Sequence, residues 1–222
     1  MRRYLPFAIV VAVGLLTLAS GAMLYRAKRV AVSPTSKAAV GLEKRGGKAG
    51  HILGEPDAPV VLEEFGDFEC PPCGNFSEPI NKLERDYRGR VCVIFRNFPL
   101  PNHKHAREAA QAAEAAGLQN RFWQMHDVLY REQALWSKAE DVRGLFKSYA
   151  GTIGLNVAQF ERDMDGEEVK QRIAADQQQG TMLGVANTPS IFINDQAVPV
   201  PQLNPTGLRA MIDAALKQKA EK

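Results

Sequence analysis

Two cysteines that are separated by two prolines are the residues of this chain best suited to chemistry. Cys70 and Cys73 lie in the stretch DFECPPCGNF, after a run of strand-forming residues and before a helical pattern. A thiol in the first turn of a helix lies at the positive end of the helix dipole, which favours the thiolate and lowers its pKa. The spacing therefore predicts a redox pair in which Cys70 is the nucleophile and Cys73 is the resolving thiol.

The prolines of the motif limit how far the Cys70 thiolate is stabilised. Pro71 and Pro72 have no N–H group, so only amides from Cys73 onward can donate hydrogen bonds to the Cys70 sulfur. Neither proline brings a positive charge. We therefore predict a Cys70 pKa below the ~8.5 of an ordinary thiol but above the ~3.5 of the most acidic cysteines of this kind.

Metal binding and a structural disulfide are the alternatives for the pair. A zinc site needs about four ligands, and the C-x-x-C spacing supplies two of them. The other candidate ligands form no second motif of this kind; they are Cys92, His51, His103, His105 and His126. A disulfide across two residues closes a very small loop and stabilises a fold little. The redox interpretation, with no metal and no cofactor, is preferred over both.

The third cysteine and three of the histidines are predicted to have structural roles. Cys92 lies in an apolar run typical of a buried strand, where a cysteine acts as a small hydrophobic residue. His103 and His105 lie at a loop-to-helix junction and are interpreted as loop or capping residues. His126 shares an apolar helix face with Trp123, which favours a core histidine.

Strand and helix patterns indicate how the cysteines are positioned. The run Pro59–Phe65 leads into them, helical spacing of apolar residues follows until Gly89, and Val91–Phe98 is a second strand. Such a βαβ unit has a right-handed crossover and parallel strands. After it, residues 104–183 show helical patterns throughout.

The carboxyl-terminal part returns to strands. Ser190–Asp195 and Gln196–Val200 are predicted to form a hairpin that turns at Asn194-Asp195. Asn204-Pro205 is a cap and first-position pair that begins a closing helix. The order βαβ, helical block, ββα predicts an α/β fold with one mixed central sheet and helices on both faces.

Charge is distributed unevenly along the 222 residues. Residues 1–50 carry a net charge of +8, and residues 51–222 carry a net charge of −5. A mildly acidic domain is not typical of nucleic-acid binding. Three cysteines are too few for a disulfide-stapled scaffold.

The amino-terminal region predicts attachment to a membrane. Tyr4–Tyr25 holds 22 uncharged residues, enough to cross the roughly 30 Å hydrocarbon layer as a helix. We predict an uncleaved anchor in residues 1–25, with a cleaved signal sequence at the small residues Ala19–Gly21 as the alternative. Residues 26–50 are basic without apolar periodicity, which predicts a flexible linker to a domain at 51–222. With the amino end inside, that domain lies on the periplasmic or extracellular face, or is secreted after cleavage.

Four blocks of sequence, in order, resemble the DsbA family of thioredoxin-fold disulfide oxidoreductases, in particular its membrane-anchored or secreted BdbD-like branch. The blocks are DFECPPC, FRNFPLPNHKHAREAAQAAEAA, RFWQMHDVLY and GVANTPSIFIN, within a similarity over about Gly54 to Leu216. The resemblance implies a thioredoxin-like fold with an inserted helical block. It also implies an enzyme that exchanges disulfides with cysteine-containing exported proteins and that has a membrane redox partner.

The resemblance implies roles for residues outside the cysteine pair. Thr188-Pro189 matches the cis-proline dipeptide of the family, which packs beside the cysteines and binds a substrate peptide through its backbone. Pro71 and Pro72 would contribute to the same substrate-binding surface. Glu64 matches the buried acid that moves the proton of the resolving cysteine, and Glu63 beside it must face the opposite side of the strand. The alternative for Glu64 is a solvent-facing strand position.

The direction of the reaction stays open at this point. The best-known oxidase of the family has Pro-His between its cysteines, where this chain has Pro71 and Pro72. A histidine that stabilises the thiolate makes the disulfide more oxidising. Oxidase, reductase and isomerase activity are therefore all compatible with the motif. A chaperone-like module that binds peptides without redox chemistry is the alternative from another functional class.

Overall fold

The computed structural model describes residues 50–221 of the chain. Its strands are β1 (His51–Leu53), β2 (Val60–Gly66), β3 (Val91–Asn97), β4 (Ser190–Ile193) and β5 (Gln196–Ala197). Its helices are α1 (Pro71–Asp86), α2 (Ala106–Gly117), α3 (Phe122–Arg131), α4 (Gln133–Trp136), α5 (Val142–Thr152), α6 (Val157–Met164), α7 (Glu167–Met182) and α8 (Pro205–Ala220). Helices α2 to α7 all lie between β3 and β4 in the chain.

The predicted membrane anchor and nearly all of the predicted linker lie outside the described residues. These segments are residues 1–25 and 26–49. Between residues 50 and 221, no helix is both long and apolar enough to cross a bilayer.

The five strands form one mixed sheet in the order β1-β3-β2-β4-β5. Strands β2 and β3 are parallel, with Val60 opposite Val91 and Gly66 opposite Asn97, whereas the other neighbours are antiparallel. The parallel pair and the crossover helix α1 confirm the predicted βαβ unit. The antiparallel β4 and β5, followed by α8, complete the predicted ββα half.

Helices cover both faces of the sheet. On one face, the strand residues Val60 and Leu62 share a core with Ile80 and Leu83 of α1 and with Leu208 of α8. On the other face, α7 packs across the strands and brings polar side chains to β2 and β3. Because the side chains of a strand alternate between faces, successive residues of β2 meet these two different environments.

The structure differs from the sequence-based prediction at the ends of the elements. Strand β1 was not predicted, because three half-buried edge residues are too few to show an alternating pattern. Strand β5 ends at Ala197 instead of Val200, since Pro199 cannot donate a ladder hydrogen bond and a 3₁₀ turn follows at Val200–Gln202. Helix α1 begins at Pro71, well before the first apolar position of its helical pattern.

Two local predictions at the carboxyl-terminal end are confirmed. Asn194 and Asp195 have φ angles of 46° and 70°, the left-handed conformations that a two-residue hairpin turn requires. The Asn204 side chain accepts a hydrogen bond of 2.9 Å from the Gly207 amide, and Pro205 occupies the first position of α8. The turn between β4 and β5 and the N-cap of α8 therefore form where the sequence indicates them.

Candidate active site

The cysteine pair lies where β2 ends and α1 begins. Cys70 is the N-cap residue of α1, with extended backbone angles, and Pro71 and Pro72 fill the first two helical positions. Proline is tolerated there because the first amides of a helix have no intrahelical partner. Cys70 is 5% exposed and Cys73, one turn into the helix, is fully buried, whereas the two prolines are exposed.

The two thiols are strongly unequal in acidity. A hydrogen bond from the Cys73 thiol is the largest influence on Cys70 and helps to lower its pKa to about 6, against the opposing effect of burial. The side chain of Thr188 and the amide of Cys73 also stabilise the thiolate, and the charge of Asp67 opposes it. The value lies inside the interval that the motif predicts. The largest cause is the neighbouring thiol, and the Cys73 amide at the helix end, on which the prediction rested, contributes less.

Cys73 is held in its protonated form. Burial, then its hydrogen bond with Cys70, then the charge of Glu64 raise the pKa of the Cys73 thiol far above its usual range. A thiolate at Cys70 and a thiol at Cys73 are therefore the forms present together near neutral pH. Cys73 can become a nucleophile only after a group nearby removes its proton.

Glu64 and Glu63 lie on opposite faces of β2, as predicted. Glu64 is 2% exposed, and its Oε1 atom is buried without a hydrogen-bond partner. Burial, and secondly the charge of Cys70, raise the pKa of Glu64 to about 8. Glu63 is equally buried, but it accepts a hydrogen bond of 2.6 Å from Nε of Arg96. The solvent-facing alternative for Glu64 is therefore wrong, and Glu64 is the carboxyl group on the thiol side.

The Thr188-Pro189 peptide bond is cis and lies against the cysteines. The Cys70 thiol donates to the Thr188 carbonyl over 3.2 Å, and both residues of the dipeptide are buried. The Thr188 hydroxyl oxygen is buried without a hydrogen-bond partner, and the Thr188 side chain helps to lower the pKa of Cys70. The structure thus brings together residues that are more than 110 positions apart in the sequence.

Gln133 of α4 holds the loop of the cysteines in place, although no sequence pattern pointed to it. Its Nε2 atom donates to the carbonyl of Phe68 at 2.7 Å and to the carbonyl of Cys70 at 2.9 Å. The fit is close, because a Cβ atom on Gly74 would come within 3.0 Å of Gln133 Oε1. The helical block therefore contributes an uncharged side chain that holds the backbone of the cysteine loop by two hydrogen bonds.

Asp67 is a second contributor that sequence reasoning missed. Its Oδ1 accepts from the Glu69 amide at 2.7 Å, its Oδ2 accepts from the Leu100 amide at 2.8 Å, and its carbonyl accepts from the Cys70 amide at 3.1 Å. An aspartate that bonds the amide two residues later is a common turn signal. That signal was present in the sequence, three residues before the nucleophile.

The remaining cysteine and histidine candidates lie partly in the core and partly near the cysteine pair. Cys92 is fully buried in β3, and His126 is buried among aromatic rings while its Nδ1 atom lies 2.9 Å from Asp127 Oδ1, as expected for core residues. His105 lies at the N-cap of α2 but makes no side-chain capping bond. His103 lies in the loop after β3, as predicted, and its Nδ1 atom also lies 2.7 Å from the buried carboxylate of Asp67.

No candidate metal centre accompanies the pair in the described part of the chain. Residues 50–221 contain no group of three or more histidine, cysteine, aspartate or glutamate side chains placed to hold an ion. The chemistry that the described residues offer is that of the two thiols and the acid beside them.

Comparisons with known proteins agree on one family. A family model described as Thioredoxin matches residues 47–214. The probable disulfide bond formation protein D of Bacillus anthracis is 32% identical over 177 residues, which cover 75% of this chain and 78% of that protein.

Solved structures give the same result. BdbD from Bacillus subtilis in its oxidised form aligns with a TM-score of 0.67 and 26% identity over 76% of this chain and 97% of that chain. A thioredoxin-like oxidoreductase from Silicibacter pomeroyi DSS-3 aligns with a TM-score of 0.65 and 27% identity, covering 78% and 95% of the two chains.

A second group of relatives matches this chain over only part of its own length. Na(+)/H(+) antiporter NhaA 1 of Mycolicibacterium gilvum is 34% identical over 147 residues. That match covers 65% of this chain but 23% of the antiporter, so the chain spans under a quarter of the length of this relative. Ion transport is therefore not inferred for this chain.

Proposed function

We propose that this chain, which belongs to the thioredoxin family and within it to the DsbA- and BdbD-like proteins, is a thiol-disulfide oxidoreductase that acts on cysteines of other proteins. The observation that carries the proposal is the placement of the pair: Cys70 caps α1 and lies 3.2 Å from the carbonyl of the cis Thr188-Pro189 peptide, and Cys73 is fully buried behind it. The two thiols are unequal in acidity in the sense that this placement favours. A structural disulfide or a pair of metal ligands has no need for such a difference, whereas thiol-disulfide exchange depends on it.

The exchange proceeds through a mixed disulfide on Cys70. In the oxidising direction, a substrate thiolate attacks the Cys70 sulfur of the Cys70–Cys73 disulfide, the S–S bond breaks, and Cys73 leaves and takes up a proton. A second substrate thiolate attacks the substrate sulfur of the mixed disulfide and releases Cys70 as a thiolate. Two electrons pass from substrate to protein, and the reverse sequence reduces a substrate disulfide.

Glu64 is the proposed proton carrier for Cys73. The leaving Cys73 thiolate forms in a buried place where its charge is disfavoured, and a carboxyl group with a pKa of about 8 is mostly protonated at neutral pH. Such a group can give a proton to Cys73 in one direction and accept it in the other, because its acidity lies near the operating pH.

The substrate surface is proposed to consist of Thr188, Pro189, Pro71 and Pro72. The exposed prolines of the motif flank Cys70, and the carbonyl of Thr188 lies 3.2 Å from the Cys70 sulfur. A peptide backbone that binds along the dipeptide would bring its own sulfur to Cys70. Unfolded or partly folded exported proteins fit this surface, since their backbones are available for pairing.

The proposed setting is extracytoplasmic, with residues 4–25 as the membrane anchor and a membrane partner that renews the redox state of the pair. A cleaved signal and a secreted protein are the alternative. A pKa of about 6 for Cys70 lies nearer the ~7 of thioredoxin than the ~3.5 of DsbA, and both directions of exchange are compatible with it. We propose a disulfide oxidoreductase, with reductase or isomerase activity as the alternative, and the reduction potential decides between them. The chaperone-like module is less favoured, because the thiols and the buried acid are all present.

Two assays on the reduced and oxidised full-length protein test the proposal. The wild type should reduce insulin with dithiothreitol as electron donor and should oxidise a reduced disulfide protein with stoichiometric loss of its own disulfide. Cys70→Ala should do neither, and Cys92→Ala should do both. Equilibration with glutathione buffers then gives the direction, since a potential near −120 mV indicates an oxidase and one near −270 mV a reductase, to within roughly 30 mV. A wild type that is inert in both assays would refute the proposed function.

A further inference from the structure

A buried aspartate and a histidine form a pair beside the nucleophile that the exchange mechanism does not use. Asp67 lies in the loop between β2 and α1, and its side chain is fully buried. His103 lies in the loop that follows β3, and its side chain is 20% exposed. The Nδ1 atom of the ring lies 2.7 Å from Oδ2 of the carboxylate.

The hydrogen bonds around Asp67 favour a His103 ring that donates through Nδ1. Both carboxylate oxygens of Asp67 accept bonds from backbone amides, those of Glu69 and Leu100. An N–H at Nδ1 of the ring matches this accepting carboxylate, so we assign the proton between the two side chains to Nδ1. Nε2 is left as the atom that gains or loses a proton, and with it the ring changes between neutral and cationic.

Asp67 connects this ring to Cys70. Its carbonyl accepts the Cys70 amide at 3.1 Å, and the two residues are three positions apart. The negative charge of Asp67 works against a thiolate at Cys70, and a cationic His103 at 2.7 Å would cancel that charge. The influence runs both ways, since the charge of Cys70 also favours the cationic ring.

We propose that His103 is a positioning residue for the exchange reaction, which by holding a proton neutralises Asp67 and so increases the fraction of Cys70 that is thiolate. This inference rests on the proposed function. It assigns to a loop outside the C-x-x-C motif the positive charge that Pro71 and Pro72 cannot provide.

The charged groups around His103 support a cationic ring. Burial lowers the pKa of His103, but the hydrogen bond and charge of Asp67, then the charges of Cys70 and Glu69, raise it above its usual value overall. On α2, the His105 ring is engaged with Glu108 at 3.2 Å, and its amide donates to Glu69.

Groups on the remaining elements complete this surrounding. Glu108 is also paired with Arg143 of α5 at 3.4 Å, and the Tyr130 hydroxyl of α3 donates to the Asp67 carbonyl at 3.4 Å. Neither places a further cation on Asp67. A proton gained by His103 therefore offsets the charge of Asp67, and this is how protonation can change the charge that acts on Cys70 from these loops.

Titration of the Cys70 thiolate by its absorbance near 240 nm tests the inference. His103→Gln keeps a hydrogen-bond donor for Asp67 but cannot become a cation, so the Cys70 pKa should rise by roughly half a unit. His103→Lys restores a permanent cation and should bring the pKa back to the wild-type value or below it. His105→Gln, a neighbouring histidine without contact to Asp67, is the matched control and should leave the titration unchanged. Equal titrations for the wild type and His103→Gln would overturn the inference.

The reciprocal measurement needs no variant. Nuclear magnetic resonance titration of the four histidine rings should show a lower His103 pKa in the oxidised protein, because the disulfide removes the Cys70 charge. His51, His105 and His126 serve as internal controls and should move less. A His103 pKa that is the same in both redox states would refute the coupling. Insulin reduction by the same wild-type sample reports the proposed function separately, so an active protein with an uncoupled ring refutes only this inference.

Discussion

Glu63 and Glu64 are neighbours in β2 and are equally buried, but their side chains lie on opposite faces of the sheet and differ in their hydrogen-bond partners. Glu63 accepts a hydrogen bond of 2.6 Å from Arg96 Nε and one of 3.3 Å from Gln179 Nε2. Glu64 faces the thiols, and its Oε1 atom has no partner. The surroundings of Glu63 therefore provide a cation, the guanidinium of Arg96.

The difference shows how one strand can serve stability and chemistry at once. A buried charge with good partners ties elements together, here β2, β3 and α7, although burial still raises the pKa of Asp176 to about 6 against the opposing effect of Arg96. A buried acid without a partner has a pKa raised further, to about 8 for Glu64, and changes its protonation near neutral pH. The face with the partnered charges serves stability, and the face with Glu64 brings an unpartnered acid to the thiols.

Removal of the cation on the structural side should have the greatest effect on stability. Arg96 bonds Glu63 and also Asp176 at 3.0 Å, so Arg96→Met leaves two carboxylates buried without their cation. We expect a loss of about 3–5 kcal/mol in the free energy of unfolding, measured in urea at pH 7. Insulin reduction per folded molecule should not change. A loss below about 1 kcal/mol would mean that the ion pairs contribute little.

On the thiol side, Glu64→Gln should stabilise the reduced protein. At pH below the usual value of 4.5, Glu64 is protonated in both the folded and the unfolded chain. As the pH rises toward 8, the unfolded chain releases this proton while the folded protein keeps it, so the wild type loses up to about 1.4 kcal/mol per pH unit. The variant should lack this slope and be roughly 2–3 kcal/mol more stable at pH 7.

Unfolding of the wild type and Glu64→Gln at several pH values between 5 and 8 measures this slope. Parallel stability curves would contradict the raised pKa of Glu64. The same variant should also slow the deprotonation of Cys73, so that Cys73 attacks the mixed disulfide on Cys70 more slowly and this intermediate lives longer when a substrate disulfide is reduced in rapid-quench experiments.

Cys92 offers the smallest effect and a control for the two active thiols. It pairs with Val61 in the β2–β3 register and therefore lies on the same face as Glu63, away from Cys70 and Glu64. Cys92→Ala removes one buried sulfur and should cost about 1 kcal/mol of stability. The reduction potential should stay the same. A changed potential would mean that Cys92 takes part in the exchange.

The main architecture could be predicted because its signals are local. The β-branched runs before and after α1, the Asn-Asp turn and the Asn204 cap each depend on residues close in sequence. The C-x-x-C spacing between a strand pattern and a helical pattern likewise indicates a redox pair, and the four ordered blocks strengthen that prediction. Glu64 and Thr188-Pro189 came from resemblance, and the structure supplies the burial of Glu64 and the hydrogen bond between Cys70 and Thr188.

The unpredicted parts of the site depend on contacts between distant segments. Gln133 reaches the carbonyls of Phe68 and Cys70 from a four-residue helix more than 60 positions away, and no periodicity marks it. The same holds for His103, whose pairing with Asp67 forms only when the loop after β3 meets the loop after β2. The largest contribution to the low Cys70 pKa could not be predicted for this reason, since the hydrogen bond from the Cys73 thiol depends on side-chain geometry that the motif alone does not give.

Trapping of the mixed disulfide tests most directly that Cys70 attacks and Cys73 resolves. Because release depends on the resolving thiol, Cys73→Ala should leave Cys70 bound to its substrates. Cells that carry this variant should accumulate adducts that run as higher bands on a non-reducing gel and disappear with dithiothreitol, whereas Cys70→Ala should give none. Adducts that form equally with Cys70→Ala, or that require Cys92, would show that Cys70 is not the nucleophile.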